Sequence, residues 1–175
     1  MKTYTQDSIK KLKQHVYVNH RQHEELRKAK EDLQDGSVIM LCDFSENFQC
    51  RIQREVMAAH WRSDCSGQVT IYTSIVYFWS GHKVIHKAYA IISDTLHHTH
   101  RETAVFNEKI VDDISKITKV EEVMVWSDGA AAQFKCRHTM GHMLKSNYNI
   151  TSWNFFESYH GKGPHGGIGK LMTKY

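Results

Sequence analysis

The sequence predicts an α/β domain whose sheet mixes parallel and antiparallel strands, preceded by a helical segment. Three observations predict it. Two apolar runs, Val38-Ile39-Met40-Leu41-Cys42 and Val123-Met124-Val125-Trp126-Ser127, read as buried strands, and each ends on an aspartate, Asp43 and Asp128. Residues 68–92, rich in β-branched and aromatic side chains, read as a hairpin turning at Ser80-Gly81-His82. Beyond the hairpin, helical and strand-like patterns alternate, which is how a chain builds parallel neighbours.

The elements follow in order. Residues 5–34 are rich in Lys, Glu, Gln and Leu and contain neither Gly nor Pro, so they favour a helix. Ile9, Leu12, Val16, Leu26, Ala29 and Leu33 fall roughly on one stripe, which suits a helix supporting the core or docking on a partner. Asp35-Gly36-Ser37 breaks the pattern, and the first aspartate strand, 38–43, follows. The hairpin strands are 68–79 and 84–92. A helix over 102–118 carries Phe106, Ile110, Ile114 and Ile117 at helical spacing, with Thr99 or Arg101 near its start. The second aspartate strand covers 120–128, a helix 130–146, and a last strand 150–157, before the glycine-rich loop 161–169. Residues 1–36 are thus a helical segment and 37–175 the core. The order β-β-β-α-β-α-β is that of a ribonuclease H-like fold: a mixed five-stranded sheet flanked by helices, with the first and fourth strands side by side.

Composition sets wide bounds. The length of 175 residues supports one domain with a sizeable core. A net charge of +4 is compatible with a nucleic-acid partner without requiring one. None of the four cysteines forms a C-x-x-C pair, and no apolar stretch approaches a membrane span. The expectation is a reduced intracellular protein that does not enter a membrane.

The two aspartates carry the chemistry. A carboxylate delivered to the end of a buried strand has a large desolvation cost unless a cation compensates it. Phosphodiester chemistry suits a pair of divalent ions held by oxygen ligands, Mg²⁺ or Mn²⁺, so Asp43 and Asp128 are the candidate metal ligands. The competing reading is that each merely ends a strand, and Asp128 also suits a helix cap. Candidates for a third acid are Glu157, at the end of the last strand, Glu46, close to Asp43, and Asp94, at the end of the second hairpin strand.

Other motifs are weaker. The loop Gly161-Lys162-Gly163-Pro164-His165-Gly166 spells G-x-G-x-x-G, but no downstream strand and acid follow it as dinucleotide binding requires. Its backbone N–H groups, with Lys162 and Lys170, are suited to a nucleic-acid phosphate instead. His138 and His142 stand i, i+4 near Cys136, and His97, His98 and His100 cluster, yet no zinc-site spacing appears.

Three blocks occur in order: Asp43-Phe44-Ser45-Glu46-Asn47, Ser127-Asp128-Gly129-Ala130-Ala131-Ala132-Gln133-Phe134-Lys135, and Phe155-Phe156-Glu157-Ser158-Tyr159-His160-Gly161-Lys162-Gly163-Pro164. Together they resemble the catalytic region of DDE-type transposase-related proteins, over residues from about 30 to 170. The resemblance implies a ribonuclease H-like, integrase-like core of mobile-element origin, cutting or joining DNA with Mg²⁺ or Mn²⁺, nuclear in a eukaryote. Asp43 and Asp128 would be its first two catalytic acids. Gly166 stands where that family carries an acidic residue, which leaves Glu157 as the acid of the last block, with Glu46 or Asp94 in support. Lys135, His160, Lys162 and Lys170 are the candidate phosphate contacts. The alternatives are a catalytically inactive module that binds nucleic acid or protein, and a homo-oligomer assembled through the 5–34 helix.

Overall fold

The computed structural model describes residues 2–45, 47–49 and 67–156. In chain order the elements are α1 (Lys2–Glu31), β1 (Ser37–Phe44), β2 (Phe48–Gln49), β3 (Gln68–Ser80), β4 (Lys83–Ser93), α2 (His100–Ile114), β5 (Glu122–Ser127), α3 (Arg137–Lys145) and β6 (Ile150–Phe155).

β1 is the centre of a mixed six-stranded sheet. It pairs antiparallel with β3 (Val38 opposite Phe78, Phe44 opposite Tyr72) and parallel with β5 (Ser37 opposite Glu122, Leu41 opposite Trp126). β4 lies antiparallel outside β3, and β6 parallel outside β5. The sixth strand, β2, was not expected. The chain leaves β1 along β3, where Ser45 N–H donates to Ile71 O, and Phe48 then pairs with Val69. Counting only the five long strands, the order across the sheet is third, second, first, fourth, fifth, and the second runs against the rest.

Alternation along β1 divides the core. Val38, Met40 and Cys42 face one side, where Phe106, Ile110, Val111 and Ile114 of α2 cover them together with Phe134 and Trp153. Ile39 and Leu41 face the other, where they meet Leu26 and Leu33, with Trp126 and Phe156. Burial of each large side chain contributes roughly 1.5–3 kcal/mol, so β1, buried from Val38 to Cys42, anchors both layers.

The helices differ in detail from the sequence expectation. Only the second half of the α1 stripe joins the core. Gln22 Nε2 donates to Phe155 O at 2.8 Å, His23 stacks on Phe156, and Lys30 Nζ lies 3.8 Å from the centre of the Tyr77 ring. Ile9, Leu12, Val16 and Tyr17 are exposed. α2 begins at a capping box, with Thr99 and Glu102 exchanging side-chain and backbone bonds, and it stops at Ile114 instead of running to 118. Ser115 caps it, and Ile117 lies exposed beyond it. α3 starts at Arg137, not Ala130, because Ala130 O accepts N–H groups from Gln133, Phe134 and Lys135 and closes a turn.

Candidate active site

Two residues beyond the last registered pair, Leu41 opposite Trp126, the adjacent parallel strands reach Asp43 and Asp128. Both sit at the C-terminal end of their strands. Both also share the parity of Ile39, Leu41, Met124 and Trp126, which is the face covered by α1. β1 needs no special device to bring its aspartate there. A run of five buried residues fixes its register, and a slip by one would turn the whole set over.

The electrostatics reflect this pairing. Burial pushes the Asp43 carboxyl up from 3.8 to about 7, repulsion from Asp128 adds to it, and the backbone N–H of Phe44 works the other way. Cys42 lies fully buried one residue before, with Sγ 3.7 Å from Trp126 O. Burial pushes its thiol up to about 12, and both aspartates contribute to the rise. Cys42 therefore stays a packed, protonated thiol, the role its place in an apolar run suggests.

Asp128 is held by its own loop. Its Oδ1 accepts the Ala130 N–H at 3.1 Å, its carbonyl accepts Ser127 Oγ–H at 2.9 Å, and Phe156 N–H closes on Ser127 O at 2.8 Å. The capping role read from sequence is thus real, but it caps a turn and leaves α3 to start at Arg137. The segment after Asp43 is held from the other layer. His98 Nε2 lies 2.8 Å from Asn47 Oδ1 and 3.2 Å from Thr70 Oγ1, and its ring stacks on Phe44 at 4.4 Å. Burial lowers the His98 pKa, with Glu102 opposing.

Of the other candidates, Asp94 is exposed just past β4. Lys135 is exposed at the end of the loop that begins with Asp128, its Nζ 5.6 Å from the centre of the Phe155 ring. Glu46, Glu157, His160, Lys162, Gly166 and Lys170 lie outside the described residues. Among the described residues no set of three His, Cys, Asp or Glu is placed to hold a metal. No helix among them is long and apolar enough to cross a membrane.

One grouping was not foreseen. His100, at the start of α2, and His138, at the start of α3, stack with ring centres 4.4 Å apart and planes 13° from parallel. The sequence places His100 near a helix start but His138 inside a helix over 130–146. That this helix begins at Arg137, and that the two starts meet, is seen only in the structure.

A comparison with curated proteins finds no match. The model of a domain of unknown function, DUF8701, covers residues 22–174, and the chain belongs to that family.

Proposed function

We propose that this chain is the catalytic core of a DDE-type DNA transposase or integrase-like enzyme, with a ribonuclease H-like sheet. The observation that carries the reading is the Asp43–Asp128 pair, two carboxylates at the ends of adjacent parallel strands, one with its pKa pushed up to about 7. Supporting it are the strand order third, second, first, fourth, fifth and the antiparallel second strand.

The donor set fits a hard divalent cation. Both groups supply oxygen, and burial together with the Asp128 charge raises the cost of ionising Asp43, which a cation would offset. Asp43 and Asp128 would hold Mg²⁺ or Mn²⁺, with Glu157, next in sequence after Phe156, as the third ligand. Bound there, such ions supply charge neutralisation at the phosphodiester and a more acidic attacking water or hydroxyl. The chain's own part is positional. β1 and β5 fix the two carboxylates, the Asp128 turn holds one of them by its backbone, and Lys135 offers a cation to DNA.

The second reading is a core that binds nucleic acid or protein without cutting. What favours it is that only two acids meet among the described residues, and that Gly166 stands where the resembling family carries an acid. A nicking assay on supercoiled DNA, titrated with Mn²⁺ and Mg²⁺, separates the two. Metal-dependent nicking lost in both Asp43→Asn and Asp128→Asn supports the catalytic reading. Nicking by Asp43→Asn at the parent's rate overturns it. Salt-sensitive DNA binding with no turnover at any metal concentration selects the second reading.

A further inference from the structure

We infer that the stacked His100–His138 pair, with Arg101, Lys135 and Arg137 close to it in sequence, is a clamp for the backbone phosphates of a polynucleotide at the sheet edge that also carries the carboxylate pair. The inference rests on the phosphodiester reading of Asp43 and Asp128, but its own evidence is separate.

The first part of that evidence is placement. β4 runs parallel to β1, because each is antiparallel to β3, so β4 ends at the same edge of the sheet as β1 and β5. The chain leaves β4 at that edge and starts α2 at His100. The loop that begins at Asp128 leads into α3 at Arg137. His100 N–H donates to Ala132 O at 3.1 Å, which ties the start of α2 to that loop. Two helix N-termini therefore lie together at the carboxylate edge, each with the positive end of its dipole outward.

The second part is chemistry. The imidazoles are nearly parallel at 4.4 Å, and the residue next to each is an arginine, Arg101 on α2 and Arg137 on α3. Arg101, Lys135, Arg137 and His138 are exposed, and His100 is half-buried. Stacking two basic rings, each beside an arginine in sequence, adds little to the fold, whereas an anion placed there gains hydrogen bonds and charge. The acid at this spot, Glu102, is engaged in the α2 capping box with Thr99. Guanidinium forks and imidazole N–H groups match phosphate oxygens, and repeated single charges along an edge match a polymer better than one small anion.

The experiment measures binding of the whole chain to a fluorescent oligonucleotide, single- and double-stranded, across a salt series with EDTA present so that no cutting occurs. The variants are Arg101→Ala/Arg137→Ala and His100→Ala/His138→Ala, with Asp43→Asn for comparison and thermal unfolding as a check on folding. The arginine pair is expected to weaken binding and to lower the salt slope by about 2 on duplex, close to one per phosphate contact. The histidine pair is expected to weaken binding with less change in slope, and Asp43→Asn to bind as well as the parent or better. A folded arginine variant that keeps the parent's affinity and slope overturns the clamp. So does a parent that binds no oligonucleotide, or one that binds polyglutamate as tightly, which would make the partner an acidic protein. If the clamp variants lose binding while Asp43→Asn nicks like the parent, the clamp stands and the catalytic reading falls.

Discussion

Trp153 donates its indole N–H to Ser127 Oγ at 3.0 Å, and Ser127 Oγ donates in turn to the carbonyl of Asp128. One buried hydroxyl thereby links the core side of β6 to the backbone of a candidate metal ligand. Ser127→Ala leaves the indole N–H unpaired in the core, at a cost of about 1–3 kcal/mol. Urea denaturation should show that loss, and the variant should nick DNA more slowly than the parent. Unchanged stability would mean that the hydroxyl holds nothing in place.

The Asp43 carboxyl predicts an unusual pH dependence for the metal-free chain. Its folded pKa, about 7, lies above its ordinary 3.8. Between those values the folded state keeps a proton that the unfolded state has lost, so stability falls as pH rises through that window and then levels off. The whole effect is worth at most about 4 kcal/mol. In EDTA, Asp43→Asn should be more stable than the parent at pH 8 and equal to it near pH 4. Thermal unfolding across pH checks this, and a parent whose stability rises from pH 4 to 7 as steeply as the variant's contradicts it.

Metal should reverse that order. A cation that binds only the folded state stabilises it by mass action. Millimolar Mn²⁺ is therefore expected to raise the parent's melting temperature at pH 8 and to leave Asp43→Asn and Asp128→Asn unmoved. Equal shifts in all three would assign the ion to some other place.

The α1 stripe should respond unevenly to substitution. Leu26 is buried against Ile39 and Leu41, and Leu26→Ala should cost about 2–5 kcal/mol. Leu12 is exposed, and Leu12→Ala should stay within about 0.5 kcal/mol. Chemical denaturation of the two variants side by side tests the division.

Gly36 adopts φ +84° at the entry to β1, and its carbonyl accepts the N–H groups of Glu121 and Glu122 at the entry to β5. Gly36→Ala should cost about 1–2 kcal/mol for the left-handed backbone alone. A Cβ there would also come within 2.9 Å of Glu121 Oε2, the far end of an exposed side chain that can move away. Adding Glu121→Ala is therefore expected to restore little. Full recovery in the double variant would show that contact, not backbone strain, sets the cost.

The long strands were legible because burial leaves a mark in composition. β1, β3 and β5 carry apolar or β-branched residues almost without interruption, and the turn at Gly81 has the positive φ that the Ser80-Gly81-His82 reading needs. β2 is two residues long, too short for any periodicity. Ala130–Ala132 has high helix propensity, but the Asp128 carboxylate takes the Ala130 N–H and the local turn wins. The α1 stripe was visible throughout, but no periodicity tells which half meets the sheet. The Asp43–Asp128 neighbourhood followed from strand order. The His100–His138 stack did not, because it depends on how two loops bring two helix starts together. Glu157 and Glu46 lie outside the described residues, so the third acid rests on sequence alone.

β1 draws its two neighbours from distant parts of the chain. Its β3 edge is filled by the strand next in line after the short β2, whereas its β5 edge is filled only when Ser37 meets Glu122, 85 residues later. During synthesis the N-terminal part, through the hairpin, can pair while that second edge stays bare. Pairing β1 with β5 is what brings the two carboxylates together, and their mutual repulsion weighs on that pairing. The candidate carboxylate edge is thus also a long-range seam of the sheet, so a divalent cation that binds the proposed site should favour its closure during refolding.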